Sequence, residues 1–572
     1  MFEARLFDEL TPIYPDTNPL EDGALRYTVA GANGTYAGVH IAVRGLTPGI
    51  PLSLEVKGPH RAYKLFQLIP VPVEVNTGAD QRSEYLKDDH NDNVIRRAPF
   101  MIYDALEPIF NIVMPQLTTA AFAFRTPIEY CREKSVGEWT ITLRHDGGEQ
   151  VLALTVEQYP SVVPKAGKDT YQMVNWFDFN GIASWHNAPK WSPKYEQMLE
   201  KYFRAAVYTR QNILCIPCGE LFGLDEAGEP VLQEERVDTL IRIAQKAGIA
   251  YFHGGACCGR AAGAKDDDAF YNSLDHAHFT TPEEINKAFR FQAFDLFDNG
   301  TEAQFSPTGE LISTEKGQAQ LRSAMRQLNS YLDRKGLREI WMQSCLDEPN
   351  DALEAAYRTI TSITREELPG IPILEPVLPT KSVVGALDVW CPTLANYEEN
   401  QEFFEERVAQ GDRLYVYSCL TPGGNYCNRL MDMERLRVVW ISWAPIRYPH
   451  VEGYLHWGMN YTNGIDPFKR QAAMFSEQVL EYHPKYANFL PAGDMCMFYP
   501  GFNIPLTSTR SEAHRIGFED LCLLQAVEKK APGRGRAIVD KVFHGYKDYS
   551  KSVPEYRAAR RELLETALEL GV

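Results

Sequence analysis

From about residue 168 to residue 505 the chain alternates between short apolar runs and stretches with helical periodicity. The runs predicted as strands are Tyr171–Phe179, Asn212–Cys218, Ile249–His253, Glu339–Leu346, Ile371–Val377, Leu387–Cys391, Arg413–Cys419 and Gly453–Trp457. Between two of them Val237, Leu240 and Ala244 keep the helical period, and Gly248 is placed to end that helix. Eight strands alternating with helices over about 300 residues predict a (β/α)8 TIM-like barrel, although a doubly wound sheet would alternate in the same way.

The residues before this region have the pattern of β-structure. The runs 139–143 and 151–156 flank Asp146-Gly-Gly148, an arrangement typical of a hairpin. The predicted domains are an N-terminal β-sandwich at 1–160, a catalytic barrel at 168–505 and C-terminal helices packed on the barrel at 506–572. The long connection between the third and fourth strands, 254–338, either forms a wall of a binding site or is a solvated decoration.

Charge and composition exclude several classes of protein. The net charge of −18 disfavours nucleic acid, which is bound by clustered Lys and Arg. The N-terminus has no long apolar segment, and no stretch approaches the roughly 18 apolar residues of a membrane span. We therefore expect a cytoplasmic protein that binds no membrane, and homo-oligomerisation is left open.

The 11 cysteines are scattered, which fits reduced, buried thiols better than a disulfide framework. A zinc site built from Cys215, Cys218, Cys257, Cys258 and His253 is conceivable, but a single CxxC at a strand end is more often two buried thiols. The sequence therefore predicts no metal and no cofactor.

Two adjacent carboxylates, Asp347 and Glu348, follow the fourth predicted strand in the stretch WMQSCLDEPND. Pro349 ends the strand, and Asn350 or Asp351 can cap the next helix. The acids either cap or neutralise that helix start or face the barrel mouth, where active sites form. Neighbouring side chains on an extended strand point to opposite sides, so only a bend lets both acids reach one ligand. The polar and aromatic candidates for substrate binding near the other strand ends are His253, Asn396, Tyr397, Tyr417, Tyr426, Asn428, Trp457 and Tyr461.

Neighbouring carboxylates can divide an acid and an electrostatic role, because like charges hold one of them protonated. In most glycosidases two carboxylates flank the bond at about 5 Å or about 6.5–9.5 Å. Adjacent acids fit that geometry poorly. They fit better the exception in which the 2-acetamido group of the substrate is the nucleophile.

Four stretches resemble glycoside hydrolase family 123, the β-N-acetylgalactosaminidases. They are CLDEP at the fourth strand, YSCLTPGGNYCNRLMD (417–432), GYLHWGMNYTNGIDPF (453–468) and GDMCMFYPGFNIPLTSTRSEAHRIGFEDLCLL (493–524). The final stretch is the most specific, and the resemblance covers roughly 170–570. The family also has an N-terminal β-sandwich ahead of its barrel.

The resemblance implies a retaining, substrate-assisted mechanism on an oligosaccharide or glycoside. Glu348 is then the general acid/base, and Asp347 orients the acetamido group. Trp457 is expected to form the floor of the sugar subsite. The further contacts that the resemblance suggests are Asn396, Tyr397, Tyr417 and Tyr426.

Two alternatives remain open. The first is a glycosidase acting on a non-acetamido sugar, with Glu348 as acid/base and Glu375 as nucleophile. The second is a non-catalytic carbohydrate-binding protein on the same scaffold. Arg510 and Glu512 of the final motif are interpreted as a structural ion pair.

Overall fold

The computed structural model describes residues 2–16, 20–80, 83, 84, 90–260, 286, 287, 289–295, 309–462, 464–471 and 490–572. Much of the predicted long connection at 254–338, including its acidic stretch 265–268, lies outside these residues. Within them, no helix is long and apolar enough to cross a bilayer.

The centre of the molecule is an eight-stranded parallel sheet. Barrel strands 1 to 8 are Gln172–Asn175, Ile213–Ile216, Tyr251–Gly254, Trp341–Gln343, Leu374–Pro376, Val389–Cys391, Arg413–Tyr417 and Val451–His456. They lie in the order 4-3-2-1-8-7-6-5, and a parallel bridge between Gln343 and Ile373 joins the two edges. Because this order follows the chain without a reversal, the sheet is a nearly closed TIM-like barrel, not a doubly wound sheet.

Helices connect these strands and extend beyond them. Their bounds are Phe179–Trp185, Pro193–Tyr208, Cys218–Leu221, Glu234–Ala247, Glu315–Lys335, Glu354–Glu367, Leu394–Glu399, Gln401–Ala409, Arg435–Arg447, Thr509–Lys530, Arg534–Val539 and Val553–Leu570, with 3-10 turns at Leu20–Asp22, Arg338–Ile340 and Asp351–Leu353. Local chemistry sets their ends. Ser192 accepts from the Tyr195 N–H at one start, and Gly248, at φ +112°, ends the helix that the sequence predicts to stop there.

Two further sheets lie mainly in the N-terminal part of the chain. The strands of the seven-stranded sheet are Glu3–Phe7, Tyr36–Arg44, Lys64–Val73, Phe100–Ile109, Thr119–Pro127, Tyr499–Gly501 and Ile504–Ser508; those of the five-stranded sheet are Arg26–Asn33, Leu52–Lys57, Ile112–Val113, Ser135–His145 and Gly148–Val162. The last two strands pair antiparallel as the predicted hairpin. Ile41 and Phe122 from one sheet share a core with Leu54 and Leu154 from the other. This packing supports the sandwich hypothesis, which stays a prediction.

The C-terminal part of the chain is joined to the N-terminal sheet. Strand Ile504–Ser508 pairs with Phe100–Ile109, so the predicted boundary between 505 and 506 falls inside a strand. Arg510 and Glu512 do not pair with each other. Arg510 bonds Asp104 at 3.0 Å, and Glu512 bonds Arg125 at 2.9 Å. These buried pairs fix helix Thr509–Lys530 to the sheet.

Short strands complete the described structure. They are Phe222–Leu224, Pro230–Leu232, Cys258–Arg260, Phe289–Phe291, Phe294–Asp295, Phe543–Gly545 and Asp548–Tyr549.

Candidate active site

The pair Asp347 and Glu348 lies in the irregular connection after barrel strand 4, and both side chains are exposed. Neither acid caps the following turn. That cap is Asn350, whose side chain accepts from the Ala352 N–H at 2.9 Å. The cap is therefore Asn350, one of the two residues predicted for it, and not an acid of the pair.

A bend in the backbone directs Glu348 across the barrel. Glu348 has φ +48°, a left-handed conformation that costs a residue with a Cβ of the order of 1–3 kcal/mol. In this conformation its Oε1 accepts the hydroxyl proton of Tyr417 at 2.6 Å. Tyr417 ends barrel strand 7. Burial raises the pKa of Tyr417 well above its usual value, and the charge of Glu348 raises it further, so the phenol keeps its proton.

Asp347 faces the same opening. Its charge acts on Tyr417 of strand 7, on Cys215 of strand 2 and on Glu375 of strand 5. These three residues belong to separate strands, so the charge of Asp347 acts on groups of strands 2, 5 and 7.

Glu375 is buried beneath the pair. Its Oε1 accepts the backbone N–H of Cys345 at 2.5 Å and that of Leu346 at 3.1 Å. Burial raises the pKa of Glu375 well above its usual value. With no exposed surface and one oxygen engaged by the backbone, its side chain is poorly placed to attack a sugar.

Aromatic side chains line the mouth at strands 1, 7 and 8. Trp457 is half-buried and packs on Tyr461, with ring centroids 5.2 Å apart. The hydroxyl of Tyr461 donates to the Phe177 carbonyl oxygen at 3.2 Å. Trp457 and Trp176 both pack against the barrel-interior cluster that contains Tyr417. This arrangement is compatible with the predicted sugar floor at Trp457.

Asp494, a buried carboxyl group that the sequence did not single out, lies beside Trp457. Trp457 Nε1 lies 3.2 Å from each of its carboxylate oxygens, and His456 Nε2 lies 3.4 Å from Oδ1. Burial raises the pKa of Asp494 to about 7, although the nearby positive charge of Arg429 acts in the opposite direction. The signal in the sequence was its place in the Gly493-Asp494 opening of the last motif.

Arg429 is fully buried behind the aromatic wall. Its Nη1 donates to Asn175 Oδ1 at 2.6 Å, and its Nη2 donates to the Gly458 carbonyl oxygen at 2.7 Å. Burial lowers its pKa to about 10. Arg429 therefore joins strand 1 to the residues after strands 7 and 8.

The N-terminal part of the chain contributes to the surroundings of the mouth. Asp432, just after the loop of strand 7, accepts from the side chain of Asn76 at 3.0 Å and from the Thr77 N–H at 2.7 Å. The Gly423 N–H of that loop donates to the Asp80 carbonyl oxygen at 2.6 Å. A segment from the N-terminal part is thus docked against the loop that follows Tyr417.

Three predicted binding residues are buried in ways that support structural roles. His253 Nε2 contacts Ser344 Oγ at 2.8 Å, and burial lowers the pKa of His253 to about 4. Asn428 donates to the Cys419 carbonyl oxygen at 2.8 Å and so shapes the strand-7 loop. Tyr397 packs on Tyr448, with ring centroids 5.2 Å apart. Direct sugar contact requires exposed surface, which these three side chains lack.

The remaining two predicted binding residues lie near helix Leu394–Glu399. The hydroxyl of Tyr426 donates to Glu399 at 3.0 Å, and the backbone N–H of Asn396 donates to Thr393 Oγ1 at 3.0 Å. Both side chains are part-exposed, and their contact with a sugar stays a prediction.

The cysteines considered for a zinc site, Cys215, Cys218, Cys257 and Cys258, are buried. In the part of the chain that the structure describes, no group of three or more His, Cys, Asp or Glu side chains is arranged to hold a metal. Burial raises the pKa of the Cys218 thiol, and its Sγ lies 4.0 Å from the Cys257 carbonyl oxygen.

The chain is similar in sequence and in fold to glycoside hydrolases. Residues 267–527 match the model of the catalytic domain of glycoside hydrolase family 123. No curated protein matches the sequence. A solved family 123 glycoside hydrolase from Clostridium perfringens, whose structure addresses glycolipid glycan hydrolysis, has a TM-score of 0.69 at 13% identity, covering 100% of this chain and 98% of that one.

A family 39 glycoside hydrolase from Bacteroides cellulosilyticus WH2 is 11% identical, with a TM-score of 0.36 over 86% of this chain and 81% of that one. That similarity is too weak to argue from. The alignment with the family 123 structure covers the whole chain, and the range that the family model matches includes Asp347 and Glu348. The resemblance drawn from the motifs is confirmed: residues 267–527 match the catalytic-domain model of glycoside hydrolase family 123, and a solved family 123 enzyme is similar in fold to this chain.

Proposed function

We propose that this chain is a retaining β-N-acetylgalactosaminidase that uses the 2-acetamido group of its substrate as the nucleophile. The observation that supports the proposal is the 2.6 Å hydrogen bond from the Tyr417 hydroxyl to Glu348, whose exposed neighbour in the chain is Asp347. A retaining enzyme with its own nucleophile needs two carboxylates on opposite sides of the anomeric carbon. Adjacent acids suit one acid/base and one orienting group.

In this mechanism Glu348 donates its proton to the glycosidic oxygen as the bond to the anomeric carbon breaks. Asp347 accepts a hydrogen bond from the acetamido N–H and directs the acetamido carbonyl oxygen onto that carbon. The product of this step is an oxazolinium ion, which keeps its N–H proton and whose positive charge the Asp347 carboxylate stabilises. Water then adds to the anomeric carbon while Glu348 takes its proton, and the β-configuration is restored.

The first alternative, with Glu375 as nucleophile on a non-acetamido sugar, is disfavoured by the burial of Glu375 and its bonds to the Cys345 and Leu346 N–H groups. The second alternative, sugar binding without turnover, is disfavoured by the exposure of both acids at the mouth. The expected partner is a glycoside or oligosaccharide. A cytoplasmic location stays a prediction, as does homo-oligomerisation.

The test is a panel of 4-nitrophenyl β-glycosides of N-acetylgalactosamine, N-acetylglucosamine, galactose and glucose. We expect the N-acetylgalactosaminide to have the highest kcat/KM, with a β-configured first product in proton NMR and inhibition by N-acetylgalactosamine-thiazoline. Hydrolysis of galactosides without thiazoline inhibition would favour the first alternative. Thiazoline binding in calorimetry without turnover of any glycoside would favour the second.

A further inference from the structure

The chain leaves the barrel sheet just before the catalytic pair. Strand 4 ends at Gln343, and the Ser344 hydroxyl donates to the Leu374 carbonyl oxygen at 2.6 Å. The next two residues, Cys345 and Leu346, are buried, so their backbone N–H groups need acceptors away from water. Among the described residues, the only acceptor that both N–H groups have is Oε1 of Glu375.

The position of Glu375 fits this task. It lies on strand 5, the next strand around the barrel, and its side chain has no exposed surface. Its second oxygen, Oε2, has no hydrogen-bond partner among the described residues. A single oxygen that bonds two consecutive N–H groups holds a short piece of backbone in one orientation.

That piece of backbone leads directly into Asp347 and the left-handed Glu348. A positive φ at a glutamate persists only where the surroundings hold it. On one side the Tyr417 hydroxyl holds the Glu348 side chain, and on the other Glu375 holds the two preceding amides. Loss of either contact leaves the pair free to relax.

We propose that Glu375 is a positioning residue for the catalytic pair, which acts through the Cys345 and Leu346 amides and never bonds the sugar. The inference rests on the proposed function only in taking Asp347 and Glu348 as the reacting groups. The nucleophile hypothesis gives the same buried carboxyl group on strand 5 a different role, that of attacking the sugar.

The test compares Glu375→Gln, which keeps an oxygen at the Oε1 position, with Glu375→Ala, which removes it. The matched control is Asp388→Ala, because Asp388 also accepts a backbone N–H, that of Ile373 at 2.8 Å, but next to the opposite ends of strands 5 and 6. We expect the Gln variant to keep kcat within about tenfold and the Ala variant to lose about 100-fold, with little change in KM. The control should keep kcat near the wild-type value.

Two readouts separate positioning from a purely structural effect. The loss in Glu375→Ala should be larger for a 4-methylumbelliferyl leaving group than for 2,4-dinitrophenyl, because a displaced Glu348 matters most where protonation is needed. Equal losses would indicate a smaller folded fraction and would overturn the inference. Equal inactivity of the Gln and Ala variants, with azide restoring the Ala variant through an inverted glycosyl azide, would show Glu375 to be the nucleophile.

A further readout does not depend on turnover. Amide hydrogen exchange at Cys345 and Leu346 should be at least about tenfold faster in Glu375→Ala and nearly unchanged in Glu375→Gln. Unchanged exchange in the Ala variant would overturn the inference. The kinetic comparison uses whichever aryl glycoside the wild-type enzyme hydrolyses. If the enzyme hydrolyses another glycoside but not the N-acetylgalactosaminide, the proposed function is contradicted and this inference still stands.

Discussion

The hydroxyl of Tyr417 donates a hydrogen bond to Oε1 of Glu348 across 2.6 Å, and so joins the end of barrel strand 7 to the connection after strand 4. This bond spans the mouth of the barrel. It accounts for the orientation of Glu348, which the left-handed backbone at that residue alone does not fix. The orientation of the Glu348 side chain therefore depends on a contact between residues 69 positions apart in the chain.

Tyr417→Phe removes this contact and keeps the ring. We expect kcat to fall about 10- to 100-fold with a small change in KM, because Glu348 loses the group that holds it in place. The free energy of unfolding should change by only about 1 kcal/mol. The matched control is Tyr454→Phe, which removes another buried hydroxyl, 2.7 Å from Ser418 Oγ. Equal kinetic losses in the two variants would contradict a specific role for Tyr417.

Asp347→Asn should slow the attack of the acetamido group on the anomeric carbon. The variant keeps the shape of the side chain but loses the charge that stabilises the oxazolinium ion, so we expect kcat to fall about 100- to 1000-fold. N-acetylgalactosamine-thiazoline should also bind more weakly in calorimetry. Asp351→Asn, four residues later, is the control, because Asp351 accepts from the Thr380 hydroxyl and lies outside the pair. Unchanged thiazoline affinity in Asp347→Asn would argue against the orienting role.

Much of the fold could be predicted because the eight apolar runs are separated by helices with clear amphipathic periods and ends, such as Gly248. The pair 347–348 was visible because two acids and a proline follow an apolar run. Contacts between distant parts of the chain were not visible. No local pattern marks Tyr417 as the partner of Glu348, or strand Ile504–Ser508 as a member of the N-terminal sheet.

Burial explains the other positions at which the sequence predictions and the structure differ. Glu375 and Glu348 are both followed by proline, and only the structure shows that one is buried and the other exposed. His253 and Tyr397 follow strands as binding residues do, but their side chains face packed neighbours. Asp494 was missed because a buried charge held by tertiary contacts leaves no periodic signal.

Asp494→Asn should change how stability depends on pH. Burial raises the pKa of Asp494 from 3.8 to about 7, so the folded protein binds this proton more tightly than the unfolded chain. The stability that the protonated group contributes is fully present below its unfolded pKa and is lost as the pH rises through about 7. Asparagine does not ionise. The unfolding free energy of the variant relative to wild type should therefore increase from pH 4 to pH 7.5, by up to about 4 kcal/mol.

Urea unfolding of the variant and the wild type at several pH values measures this difference in unfolding free energy. The contributions of the other titrating groups are the same in both proteins and therefore cancel. A difference that stays constant across the range would contradict the raised pKa of Asp494.

Asp432→Ala should loosen the docking of the N-terminal segment. The carboxylate also accepts from Thr77 Oγ1 at 2.7 Å, and its removal leaves buried donors on Asn76 and Thr77 without their acceptor. We expect a loss of about 2–4 kcal/mol in the free energy of unfolding. Thr77→Val, which removes one of these bonds, should cost about 1 kcal/mol. Equal stability of Asp432→Ala and wild type in urea unfolding would show that the contact is incidental.

The central claim is that Glu348 supplies the proton to the leaving group while Asp347 serves the same sugar. The most direct measurement is kcat/KM of Glu348→Gln on two aryl β-N-acetylgalactosaminides, one with a 2,4-dinitrophenyl and one with a 4-methylumbelliferyl leaving group. The account predicts a loss of at least about 1000-fold on the methylumbelliferyl substrate and a loss at least about tenfold smaller on the dinitrophenyl substrate, which departs without protonation. Equal losses on the two substrates, or wild-type rates on both, would contradict it.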